Sequence, residues 1–169
     1  MKKTIYIFAV ISLIFVSCKK EEGCTDPVAA NYNSDAENDD GSCIFDLVGV
    51  WNPESVDYNI NVTATLAGQT IYSMDTSYTS TPQDTSWDIE GNMEFTSSGT
   101  LITSDETQNY TTSGNTLTIT ESDGEESEAT YTVSKTNLSI TIVDSETETD
   151  MMGVTNVINY EMTINATRQ

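Results

Sequence analysis

The chain contains no histidine. That removes the commonest general base, the usual imidazole metal ligand and every Ser-His or Cys-His nucleophile pair. Positive charge is almost as scarce, with 6 Lys and Arg against 27 Asp and Glu and a formal net charge of −21. Between Lys20 and Lys135 there is no Lys or Arg at all. A nucleic-acid partner needs a basic footprint to release counterions, so nucleic acid is excluded as a partner. Beyond residue 46 no stretch of ten residues repeats its apolar positions every 3.6 residues, which excludes substantial helix content. Only one long hydrophobic run is present, and it lies at the N-terminus.

That run, Ile5 to Val16, is broken only by Ser12 and follows Lys2 and Lys3. Its length and basic flank are those of a signal-peptide h-region. As a helix rising about 1.5 Å per residue it would cover roughly 18 Å, short of the ~30 Å hydrocarbon core of a bilayer. Phe15-Val16-Ser17-Cys18 closes the run and resembles the lipobox of bacterial lipoproteins. The resemblance implies cleavage after residue 17, a thioether-linked diacylglycerol and an amide-linked acyl chain on Cys18, and a membrane partner reached through that anchor. Each buried CH₂ contributes about 0.8 kcal/mol, so several acyl chains hold durably. An ordinary secretory signal cleaved near Cys18 is the competing reading. Lys19-Lys20-Glu21-Glu22 resembles the tag some Gram-negative bacteria use to export lipoproteins to the outer face, which implies an outer-membrane, surface-exposed protein. Losing residues 1–17 removes Lys2 and Lys3 and no acidic residue, moving the net charge from −21 to −23. A surface so acidic repels anionic headgroups, which leaves the acyl group as the membrane contact.

Three cysteines are an odd count for an exported chain. Assigning Cys18 to lipid leaves Cys24 and Cys43 as a pair, closing a loop of about 20 residues worth roughly 3 kcal/mol in an oxidising compartment. Two spare thiols also fall short of a four-ligand zinc set. The residues between them are turn-forming Asp-Pro, Asn-Tyr-Asn and Asp-Asp-Gly groups with only small or isolated apolar side chains, so no core can form there unaided. Gly23-Cys24-Thr25-Asp26-Pro27 through Asn31-Tyr32 to Asp39-Asp40-Gly41-Ser42-Cys43 resembles a short repeat of Gram-negative surface and secreted proteins, G-C-T-D-P-x-A-x-N-Y-x-x-x-A-x-x-D-D-G-S-C. That repeat is in turn similar to the thrombospondin type 3 calcium repeat. Calcium takes six to eight oxygen ligands, and Asp26, Asn31, Asn33, Asp35, Asp39 and Asp40 are the candidate set. The alternative is a disulfide-pinned spacer whose Asx side chains bond only their own backbone.

Residues 46–169 change to a period of two. Tyr58, Ile60, Val62, Ala64 and Leu66 fall on one face of an extended segment, and Ile158, Tyr160, Met162 and Ile164 do the same. Trp87 to Phe95, Tyr131 with Val133, and Leu138, Ile140 and Ile142 repeat the alternation. One wet and one buried face is the mark of antiparallel strands. Turn signals separate candidate strands near 46–52, 56–66, 69–79, 86–96, 100–111, 115–121, 127–134, 137–148 and 156–166. The expected fold is therefore all-β, an antiparallel up-and-down meander closing into a small barrel or stacking as two sheets. Leu47-Val48-Gly49-Val50-Trp51, with Met93-Glu94-Phe95, Ser98-Gly99-Thr100-Leu101 and Tyr131-Thr132-Val133, resembles the lipocalin-like domains of bacterial lipoproteins, in which 69–85 would be an insertion. The resemblance implies a β-barrel of about 8–9 strands with Trp51 plugging its floor.

The expected organisation is thus a signal peptide at 1–17, a lipidated tether at 18–22, an acidic Cys-bounded module at 23–45 and a barrel at 46–169. Tyr58, Tyr72, Trp87, Phe95, Tyr110, Tyr131 and Tyr160 are candidates to line a cavity for a small hydrophobic ligand, or simply to fill the core. The Asp and Glu runs at 123–128 and 144–150 read as solvated turns, because a glycosidase pair needs two carboxyls fixed in a cleft. Catalysis is not expected. Binding of a small hydrophobic molecule or an envelope component is, with surface interaction with a protein or glycan as the alternative.

Overall fold

A computed structural model describes residues 20–84 and 89–169. The leader, Cys18 and Trp87 lie outside the described residues. The chain divides between Ile44 and Phe45 into two compact units.

The first unit is built of turns around one crosslink. Strands β1 (Glu22–Gly23) and β2 (Asn38–Asp39) form a short parallel bridge, and Cys24 is joined to Cys43. Among its described residues the buried apolar side chains are Cys24 and Ala29, so the disulfide replaces a core that the segment cannot assemble.

The second unit is all-β and antiparallel, with no helix among the described residues, and so none long and apolar enough to cross a membrane. Its strands are β3 (Gly49–Leu66), β4 (Gln69–Ser80), β5 (Met93–Phe95), β6 (Thr100–Ile102), β7 (Thr107–Ser113), β8 (Thr116–Thr120), β9 (Glu126–Val133), β10 (Asn137–Thr149) and β11 (Val154–Arg168). They pair in the order β11-β10-β9-β8-β7-β6-β5-β3, and β11 pairs β3 to close an eight-stranded barrel. β4 is a ninth strand attached to β3 alone. This extra strand, Gln69–Ser80, comes from the stretch expected as an insertion.

Three boundaries differ from the expected ones, and one is the segment expected at 86–96, which among its described residues is a strand only at Met93–Phe95. The segments 46–52 and 56–66 are one continuous strand, β3, running through Pro53. Proline is tolerated because the register to β11 shifts there, Asn165 facing Ser55 and Ala166 facing Pro53. On its other side β3 meets β5 at Gly49 to Trp51 and β4 only from Val56 onward. A residue without an N–H sits best where the ladder is interrupted. Conversely, 100–111 is two strands, split by a turn in which Thr103 N–H donates to Glu106 O and Thr103 Oγ1 accepts from Glu106 N–H. Thr103 makes this turn through its side chain, without the glycine that would have announced it.

Alternation sets which faces are buried. Trp51, Phe95, Leu101, Leu117, Leu138, Ile140 and Ala166 form the core, with Tyr110, Tyr131 and Ile164 packed against it. Strands β5 to β8 are short, whereas β3, β4, β10 and β11 run on past the barrel as two hairpins. The β3–β4 hairpin turns on Ala67 and Gly68 with φ of 52° and 79°, the double left-handed turn that suits strand twist. β10 pairs β9 only from Leu138 to Thr141. Beyond that point the order is β4-β3-β11-β10, a four-stranded extension continuous with one side of the barrel.

Candidate functional site

The floor of the barrel is filled. Trp51 is fully buried, its Nε1–H donates to Leu47 O at 2.8 Å, and the Arg168 guanidinium lies 4.2 Å above its ring. Arg168 in turn donates to Asp46 O (2.7 Å) and Val48 O (3.0 Å). Gly49 (φ 147°) is required beside it, for a Cβ there would meet Arg168 Nη1 at 2.7 Å. A cation over an indole contributes about 1 kcal/mol or more when desolvated. The arginine thereby ties the last strand to the residues before the first. Phe95 stacks edge-on to Tyr110 at 5.1 Å, and Tyr110 Oη–H donates to Thr96 O at 2.8 Å. Burial pushes the Tyr110 phenol above its usual range, with Tyr131 and Asp46 adding to the shift.

The six aromatic candidates among the described residues therefore separate. Phe95, Tyr110 and Tyr131 belong to the packed core. Tyr58 and Tyr160 lie higher on β3 and β11, half-buried on the same face of those strands. Tyr72 is 51% exposed on β4, which is not one of the eight barrel strands. Tyr58 stacks on Tyr78, centroids 4.7 Å apart, so the inward face of the extension carries an aromatic strip above the filled floor.

The opposite face of the extension is polar. The register aligns Asn61 with Asp75 and Asn159, and Asn59 with Ser77 and Glu161. Asn61 Nδ2 donates to Asp75 Oδ1, Asn159 Nδ2 to Asn61 Oδ1 (3.4 Å) and Asn59 Nδ2 to Glu161 Oε1 (3.2 Å). Together with Val143 these residues line a groove of about 480 Å³. Period-two reading placed Asn59 and Asn61 on the wet face. It gave no sign that Asp75, on β4, would lie beside them, since that depends on strand pairing. Arg168 was likewise missed, because a lone terminal arginine carries no local signal.

On the edge of the extension Tyr160 Oη–H donates to Asp144 Oδ2 at 2.8 Å. The Ser145 amide, and then this phenol, hold the Asp144 carboxyl below the ordinary carboxylate range, and the bond to Asp144 holds Tyr160 above the ordinary phenol range. A lowered carboxyl stabilises the fold above its ordinary pKa and loses that share as pH falls through its folded value, and a raised phenol does so below its ordinary pKa and loses it as pH rises. Tyr160→Phe is therefore expected to lower the melting temperature most between about pH 5 and 9, converging with the parent at both extremes. A gap unchanged down to the acid limb would refute the assignment.

In the first unit the candidate calcium ligands make local bonds. Asp26 Oδ1 accepts from Val28 N–H, Asn33 Oδ1 from Asp35 N–H, Asp39 Oδ1 from Gly41 N–H and Asp40 Oδ1 from Ser42 N–H. Asn31 bridges the ends of the loop, donating to Ser42 O (2.6 Å) and accepting from Ile44 N–H (2.7 Å). The Ser42 side chain and then its amide hold Asp40 below the usual carboxylate range. Among the described residues no three acidic, histidine or cysteine side chains converge as a metal cluster.

Comparison with protein-family models, curated proteins and solved structures finds no match to this chain. The fold is a β-barrel compatible with ligand binding.

Proposed function

We propose that the chain is a lipid-anchored, non-catalytic interaction protein of the bacterial cell envelope, in which a lipocalin-like barrel is the scaffold and the four-stranded extension is the binding surface. The observation that carries this reading is that side chains fill the barrel floor while four strands run past it. Trp51, Phe95 and Leu117 are 0–1% exposed, and the extension carries both a groove and an exposed aromatic strip. Exposed aromatic patches mark contact sites more often than stray surface residues do. The absence of histidine supports binding over catalysis, as does the exposure of Glu126, Glu128, Asp144, Glu146 and Glu148, which lie on strands β9 and β10 and not at the turns expected for them.

The leader and Cys18 support acylation, the tether sequence supports the outer membrane, and the disulfide-closed module serves as a stalk. Calcium held by its Asp and Asn side chains would require the local turns to open toward a common ion. A second reading, a carrier of a small hydrophobic molecule, is favoured by one feature: Tyr58, Ile60, Met162 and Ile158 share the inward face above the floor.

Full-length chain expressed in a Gram-negative host with a palmitate analogue should label and fractionate with membranes, and Cys18→Ser should abolish both. Native mass spectrometry of the detergent-extracted protein then separates the two binding readings. A stoichiometric copurified lipid would favour the carrier and count against the interaction surface.

A further inference from the structure

Among the described residues the extension has two edges that pair with no further strand, and they are built differently. Beyond Thr141 the outer edge of β10 carries Asp144, Glu146 and Glu148, charges of the kind that natural sheets use to discourage strand addition. The outer edge of β4 carries no such guard. β4 pairs β3 from Gln69 to Ser80 and no other strand among the described residues. Gln69 to Thr79 are all exposed, they contain no Lys or Pro, and Asp75 is the single charge. From Tyr72 to Thr79 the pairing to β3 is regular, so among the described residues the opposite edge presents an unbroken row of backbone donors and acceptors.

The two faces of β4 state what would fit. Ser73, Asp75, Ser77 and Thr79 share the face of the polar groove, and Tyr72, Met74 and Tyr78 share the aromatic one. A strand added along β4 would place alternate side chains beside Asp75, facing the groove that Glu161 also lines, and the intervening ones against Tyr72, Met74 and Tyr78. Long basic side chains suit the first row, because they can reach carboxylates while covering apolar surface with their stems. A second copy is disfavoured by charge: at −21 per chain, antiparallel pairing of two β4 edges would bring like charges within roughly one Debye length of 8 Å.

We propose that β4 is the acceptor edge for an extended, lysine- or arginine-bearing polypeptide segment, which adds as a fifth strand with its basic side chains over Asp75 and Glu161. This rests on the interaction-protein reading and names the partner's chemistry. Backbone pairing supplies affinity and the alternating rows supply selectivity.

The test uses the full chain in detergent and a ten-residue peptide alternating lysine with valine. Hydrogen exchange should slow at alternate amides from Tyr72 to Thr79 and stay unchanged at Val143 to Thr149. Methylating alternate peptide nitrogens keeps every charge but removes backbone donors, and should weaken binding on the order of tenfold or more. The double variant Asp75→Asn, Glu161→Gln, with its melting curve checked, should lose a similar factor. A peptide that binds without protecting β4, or equally well when methylated, would show adhesion to an acidic surface and overturn the proposal. So would no binding, or β4 protection that rises with protein concentration alone, which would indicate a second copy. The broader reading fails on separate grounds, if an apolar ligand is found seated in the barrel.

Discussion

Trp51→Ala is expected to cost about 3–5 kcal/mol, the usual range for removing a large buried aromatic. Typical domains have only about 5–15 kcal/mol in all, so the variant should unfold at a much lower urea concentration or fail to fold. The magnitude follows from three losses at one place. The ring leaves a cavity among Met93, Phe95 and Ala166, Leu47 O loses its buried donor, and Arg168 loses the surface on which it lies. Trp51→Phe keeps part of the volume and should cost less. Tyr72→Ala, at an exposed position on β4, should stay within about 0.5 kcal/mol. Urea unfolding followed by far-ultraviolet circular dichroism ranks all three. Equal midpoints for Trp51→Ala and Tyr72→Ala would show that the barrel floor does not hold the fold.

Cys24→Ser with Cys43→Ser is expected to remove about 3 kcal/mol from the first unit, the chain-entropy value for a loop of this size. That unit buries only Cys24 and Ala29 as apolar side chains among its described residues. Its Asx turns are exposed, and hydrogen bonds in water contribute little net stability. Amide signals of residues 20–44 should therefore collapse toward unstructured positions while the melting of residues 45–169 is unchanged. Retained dispersion in 20–44 would mean that the turns, and not the crosslink, hold the module.

Much of this was legible from local sequence because strand faces are a local property. Side chains alternate wherever the backbone is extended, so Phe95, Tyr110, Tyr131, Leu138 and Ile140 could be placed on buried faces without knowing any partner strand. The Cys24–Cys43 pair followed from an odd cysteine count once Cys18 was set aside for lipid. Boundaries were less secure where side-chain chemistry overrode the usual punctuation. Thr103 made a turn without glycine, and a bulge let Pro53 remain inside a strand.

What the sequence by itself determined was an all-β body, its strand faces and the crosslink in the module before it. Which strands meet was decided by tertiary structure, because pairing β11 to β3 joins residues about a hundred positions apart and no local pattern encodes that registry. Only that closure sets Arg168 over Trp51. Pairing along β3 then brings Asp75 beside Asn61 and leaves β4 with one edge open. Barrel and groove follow from backbone hydrogen bonds between β11 and β3, distant segments that meet only when the barrel closes, whereas the open edge of β4 is left by its local hairpin with β3.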